Sequence, residues 1–156
     1  MKADNLTENV EMYLKIIYLL EVQTGAPAKT GLISKELKVS PASVTEMLDR
    51  MMADGFVKHK KYRGVVTTQK GRAIARRIMQ KHCLIERFLI HSLDVMNLKT
   101  AHEQADRMEH VLRDDIAMRL RAVTKVPKNC PDCYDLRHEI CGRFLPVKVR
   151  TKRQAG

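Results

Sequence analysis

A chain of 156 residues, 44% of them hydrophobic, can build one ordinary domain, or a small domain with an appendage, around a real core. Its 29 Lys and Arg against 18 Asp and Glu give a formal charge of +11, which points to an anionic partner, nucleic acid before a membrane surface. No apolar run approaches the ~18 residues of a membrane span, no apolar signal core follows Met1, and 4% aromatics without Trp exclude a base-stacking platform for single strands.

The expected location is therefore cytoplasmic, with no membrane partner. The charge is uneven: residues 1–81 hold 15 basic and 8 acidic side chains, a net of +7, and the other 75 hold 14 and 10, a net of +4. The N-terminal half is the part expected on DNA.

In residues 7–23, Val10, Tyr13, Leu14, Ile17, Tyr18 and Leu20 recur at helical spacing, with Thr7 as N-cap and Gly25-Ala26-Pro27 as the stop. A short helix follows from about Gly31 to Leu37, capped by Thr30. Ser40 then caps a third helix, with Pro41 at its first position, where a missing N–H costs nothing. That helix runs to about Asp54 and stops at Gly55. Two helices across a three- or four-residue turn form a helix-turn-helix. Residues 56–67 read as two short strands around a basic turn, a wing. Thr68 caps a long helix from Gln69 to about Leu93, and Thr100 caps another from Ala101 to about Val123. The fold class is mainly α: a winged helix-turn-helix over 1–72, a helical metal-binding and dimerisation domain over 73–125, and a Cys-containing basic tail over 126–156.

The second helix of such a unit sets its N-terminal residues against base edges in the major groove, while the wing touches the backbone. Ser40, Ser43 and Thr45 are the polar residues at that end, and Glu46 can accept from a cytosine amino group. Lys60, Lys61 and Arg63 on the wing, with Lys35 and Lys38 nearby, suit phosphates and would make affinity fall with salt.

On the two long helices, His102, Asp106, Glu109 and His110 fall at i, i+4, i+7 and i+8, one helical face, and His82 and Glu86 fall at i and i+4 on the other. Imidazoles and carboxylates facing each other across two helices are the donors of bundle-type metal sites. They suit Fe(II), Mn(II), Co(II), Ni(II) or Zn(II).

The chain resembles the diphtheria toxin repressor family of iron- and manganese-dependent regulators over residues 7–123. The likeness runs through Glu11-Met12-Tyr13-Leu14, Ser40-Pro41-Ala42-Ser43-Val44-Thr45, Lys61-Tyr62-Arg63-Gly64, Lys81-His82-Cys83-Leu84-Ile85-Glu86-Arg87 and Met108-Glu109-His110. The resemblance implies a primary metal site of Met12, Asp106, Glu109 and His110 and an ancillary site of His82, Glu86 and His102. Iron-type members carry a cysteine where this chain has Asp106; manganese-type members have an aspartate at Met12 and a glutamate at Lys15. Retaining Met12 and lacking the second acid argue for Fe(II), while the oxygen donor at Asp106 leaves Mn(II) open. Longer relatives append a small barrel that adds ancillary ligands. With only about 30 residues after the last long helix, the resemblance implies an ancillary site that is weaker, water-completed or vestigial.

The resemblance implies that metal draws Met12 onto the helix behind it and fixes two recognition helices of a homodimer at successive major grooves of a palindromic operator. Its output would be repression of metal-uptake genes. Leu84, Ile85, Phe88, Leu89, Val111, Leu112, Ile116 and Leu120 would supply much of the core and the dimer surface.

Cys130, Cys133 and Cys141 lie outside the shared region. A CxxC with a third Cys can hold Zn(II) with a fourth ligand, an iron–sulfur cluster, or nothing. A winged-helix regulator switched by this tail, its histidines inert, is the alternative. A carboxylate-bridged helical oxidase would need a pair of Glu-x-x-His motifs on separate helices. Here Glu109 and His110 are adjacent, and no phosphate loop or nucleophile motif is present. Neither an enzyme nor a small-molecule substrate is expected.

Overall fold

The computed structural model describes residues 6–60 and 62–124. Helix α1 (Glu8–Thr24) begins at Thr7, whose hydroxyl accepts the Val10 amide at 3.4 Å, and ends at Gly25 in the left-handed region at φ 64°. Such a residue needs no Cβ, and its N–H closes on Glu21 O. Helix α2 (Thr30–Leu37) starts one residue earlier than expected: Lys29 is its N-cap, without a side-chain bond, and Thr30 is its first helical residue. Ala28 exchanges backbone hydrogen bonds with Val65 at 2.8 and 2.9 Å, which anchors the chain just before this start.

Ser40 caps α3 (Pro41–Ala53), its Oγ accepting the Ser43 amide at 3.1 Å. Strands β1 (Val57–Lys60) and β2 (Gly64–Thr67) pair antiparallel, Val57 opposite Thr67 and Lys60 opposite Gly64, as the basic hairpin predicts. Thr68 caps α4 (Gln69–Ser92) through the Gly71 amide at 3.1 Å.

One expected helix is two. In place of a single run from Ala101 to about Val123 capped by Thr100, α5 (Leu98–Met108) is capped by Asn97, whose Oδ1 accepts the Thr100 amide at 3.1 Å, and α6 is Asp114–Val123. The break is held from α4: Lys81 Nζ donates to Leu112 O at 2.5 Å and pairs with Asp114 Oδ1 at 2.9 Å.

The N-terminal core gathers Leu14, Ile17, Ile33, Val44, Met51, Phe56, Val65 and Ala75 from α1, α2, α3, the hairpin and the start of α4. Farther along α4, Ile78, Met79 and Ile85 are buried, as are Ala101 and Ala105 of α5, small enough to let α5 lie close. Of the residues expected to share core and dimer surface, Leu84 and Ile85 are buried, whereas Val111 is 77% and Ile116 46% exposed. Among the described residues no helix is long and apolar enough to cross a membrane.

Candidate metal centre and DNA-facing surface

Three helices and one turn converge on a cluster of charged side chains. His82 and Glu86 stand one turn apart on the inner face of α4, and His102 and Asp106 one turn apart on α5. Glu109 and His110 follow directly on α5: Glu109 is its C-cap, still in right-handed helical conformation with its N–H on Ala105 O, and it meets the same Lys15 and His82 as Asp106. From α1 come Glu11 and Lys15, also one turn apart.

His82, Glu86 and His102 meet directly. Glu86 Oε1 lies 2.8 Å from both His82 Nε2 and His102 Nδ1, and the two ring nitrogens are 3.0 Å apart. Ligand atoms of His82, His102 and Asp106 fall within 4.8 Å of one another, close enough for one ion. Glu86 is 1% exposed and Glu109 0%, so these carboxylates depend on local cations.

Lys15 supplies one. Its Nζ donates to Asp106 Oδ1 at 2.8 Å and to Glu109 Oε1 and Oε2 at 2.8 and 2.9 Å, and lies 3.4 Å from His82 Nδ1. His82 Nδ1 is also 2.6 Å from Glu109 Oε2. Burial disfavours a charged His82, but hydrogen bonds to Asp106, Glu109 and Glu86 overcome it and push the ring up to about 10. Burial opposes ionisation of Asp106 too, yet its bonds to His82 and Lys15 hold it below the usual carboxylate range.

His110 is oriented from α1. Its Nδ1 is 2.7 Å from Glu11 Oε2, a bond that raises its pKa against burial. Nε2 is buried without a hydrogen bond, 3.3 Å from Glu109 Oε1. A histidine held by a carboxylate at one nitrogen, with the other left over, is the usual arrangement of a metal-ligating imidazole. Met12 is half-buried on α1 beside Glu11, and no hydrogen bond ties its thioether to the cluster.

The donors thus fit a divalent ion at His82, His102 and Asp106 with Glu86 beside them. Around Asp106 and Glu109 the cation already present is the Lys15 ammonium. Sequence reasoning marked Lys15 only as the position where manganese-type relatives carry a glutamate, and gave Glu11 no role in the site. A lysine on an amphipathic helix reads as solvated charge, and its partners are 91 and 94 residues away.

On α3, Ser43, Thr45, Glu46, Asp49 and Arg50 are all exposed, as a recognition face requires. Ser40 Oγ is engaged as the cap, Thr45 Oγ1 donates to Pro41 O at 3.0 Å, and Glu46 pairs with Arg50. Lys35, Lys38, Lys60 and Arg63 are exposed; Lys61 lies outside the described residues, as do Cys130, Cys133 and Cys141. Tyr62 at the wing tip, at φ 62° and 91% exposed, is a further surface residue there that sequence reasoning passed over.

Residues 5–65 match the family description "Iron dependent repressor, N-terminal DNA binding domain", and residues 68–135 match "Iron dependent repressor, metal binding and dimerisation domain". An uncharacterised HTH-type transcriptional regulator of Methanocaldococcus jannaschii is 36% identical over 74% of this chain and 92% of its own length. The iron-dependent repressor IdeR of Mycobacterium tuberculosis is 36% identical over 82% of this chain and 55% of its own, so the chain spans about half of that longer relative. The structure of the manganese regulator SloR superimposes with a TM-score of 0.68 at 33% identity, covering 79% of this chain and 56% of SloR. The helix-turn-helix, wing and His/carboxylate cluster stand in the order these matches require, and the chain belongs to the iron-dependent repressor family, whose members are metal-dependent, DNA-binding transcriptional regulators and not enzymes.

Proposed function

We propose that this chain is a cytoplasmic, homodimeric repressor of metal-uptake genes that binds a palindromic operator when Fe(II), rather than Mn(II), occupies the cluster. The observation that carries this reading is the convergence of His82, His102 and Asp106 ligand atoms within 4.8 Å, directly behind α1. His82, His102, Asp106 and Glu86 would hold the ion; His110, oriented by Glu11, and Glu109 stand at its edge. Met12, with Asp106, Glu109 and His110, forms the second grouping, whose carboxylates Lys15 engages.

Two imidazole nitrogens among the donors favour Fe(II) over Mn(II), following the general order of divalent-ion affinities. The bound ion would supply positive charge that keeps α4 and α5 closed on each other. Asp106 passes that constraint to α1 through Lys15, and α1 packs on α2 of the helix-turn-helix. Metal then favours the DNA-competent arrangement by its differential affinity for it. Residues 1–72 would carry DNA through Lys35, Lys38, Ser40, Ser43, Thr45, Glu46, Lys60, Lys61 and Arg63. Residues 73–125 would carry metal and the dimer contact, and 126–156 form the tail. Exposed Val111, Ile116, Met118 and Val123 supply apolar surface for a second copy.

The test is DNA binding by chelator-stripped protein, titrated anaerobically with Fe(II) and in parallel with Mn(II). A rise of at least about tenfold in affinity, ~1.4 kcal/mol of coupling, is expected with Fe(II) at the lower free concentration. Activation by Mn(II) at lower free concentration overturns the iron assignment. No response to either ion overturns the sensor reading and turns attention to Cys130, Cys133 and Cys141.

A further inference from the structure

Resting on that reading, we propose that Lys15 is a built-in cation occupying the second metal position, so that each chain binds one divalent ion, at His82, Glu86, His102 and Asp106, and not two. The geometry is that of an ion already coordinated. Lys15 Nζ reaches three carboxylate oxygens on two residues at 2.8, 2.8 and 2.9 Å, and its side chain is only 10% exposed. Both oxygens of the fully buried Glu109 are on this ammonium. A second ion using Asp106 and Glu109 would need the same oxygens and would stand beside the ammonium.

Charge balance leads to the same count. Three carboxylates meet in the cluster: Glu86, Asp106 and Glu109. One divalent ion plus Lys15 brings +3 against their −3. Two ions plus Lys15 bring +5, and even counting Glu11, which is engaged with His110, the acids reach only −4. Uncompensated charge in a buried cluster is strongly disfavoured. The ammonium also gives α1 a hold on Asp106 and Glu109 at every metal concentration, so that the single ion adjusts an existing connection between α1 and α5.

The count is testable with Mn(II), a hard ion that thiolates hold poorly, so that Cys130, Cys133 and Cys141 do not contribute. Chelator-stripped full-length protein would be titrated and bound Mn(II) counted from the electron paramagnetic resonance signal of the free ion. The wild type is expected to saturate at one ion per chain. Lys15→Glu should bind two, and Lys15→Gln, a neutral control should the extra acid impair folding, should gain a second, weaker ion. Two ions within about tenfold of each other in affinity on the wild type overturn the proposal, as does a count of one in both folded variants. If the wild type binds no ion and its DNA affinity ignores metal, the sensor reading fails first and this inference with it.

Discussion

Lys15 and Glu109, 94 residues apart, form a two-pronged ion pair, Nζ lying 2.8 and 2.9 Å from the two oxygens of a carboxylate with no exposed surface. The pair joins α1 of the DNA-binding module to the turn after α5. Removing Glu109 takes two of three carboxylate oxygens from a buried ammonium that keeps only Asp106, a loss of about 3 kcal/mol. Glu109→Ala is therefore expected to destabilise the metal-stripped protein by roughly that amount in urea unfolding and to weaken the metal response of DNA binding. Glu109→Gln, which keeps the shape and a hydrogen-bond acceptor, should lose less stability but as much of the response. A metal response undiminished in Glu109→Ala would show that the Lys15–Glu109 pair plays no part in passing the metal signal to α1.

What the sequence disclosed was local. Thr7, Ser40 and Thr68 were legible as caps because a hydroxyl before an apolar period has one common use, and Gly25 and Gly55 as stops because both adopt positive φ. The break between α5 and α6 was illegible. No Gly or Pro marks it, and apolar periodicity runs through Val111 and Leu112. The contacts made at the break are tertiary: Lys81 takes the Leu112 carbonyl, and Glu109 pairs with Lys15. The donors were found by residue type and resemblance; that the Lys15 ammonium binds Asp106 and Glu109 required the fold.

Two glycines should respond in opposite directions to the same substitution. At Gly71 a Cβ would lie 2.1 Å from Phe56 O, a backbone atom that cannot swing away, because the first turn of α4 crosses close to the start of the hairpin. Gly71→Ala is expected to cost about 3 kcal/mol, the upper end for overpacking. Gly31, within α2, has nothing within 4 Å of a Cβ. Gly31→Ala should stabilise by about 0.5–1 kcal/mol through helix propensity and a less flexible unfolded chain. Denaturant midpoints decide both, and an unchanged midpoint in Gly71→Ala would contradict the close crossing.

The exposed cations divide from the exposed polar groups of α3 in what they should do to DNA binding. Arg63→Ala and Lys38→Ala remove charges suited to phosphates, so each should weaken binding to any sequence and reduce the salt slope by about 1. Ser43→Ala should instead change preference among operators at one base position with the slope unaltered. Fluorescence anisotropy across a salt series on two unrelated duplexes distinguishes the cases. Equal effects of Ser43→Ala on both duplexes would remove α3 from the role of reader.

His82 should make the metal-stripped protein sensitive to alkali. Burial works against its charged form, but Asp106, Glu109 and Glu86 lift it from 6.5 to about 10. A folded-state value above the unfolded one stabilises fully below the unfolded value and ceases to do so as pH rises through the folded one. The stabilisation is thus complete below about pH 6.5, shrinks between there and 10, and is gone above. In chelator, Tm is expected to fall by more than about 5 °C between pH 7 and 10. His82→Gln, which cannot gain the proton, should start lower and fall by less than half as much. Saturating Mn(II) should flatten the wild-type curve, since ion and proton compete for the same ring nitrogens. Parallel curves for wild type and His82→Gln would mean that the ring is neutral in the folded cluster, and that the carboxylates around it are balanced by Lys15 alone.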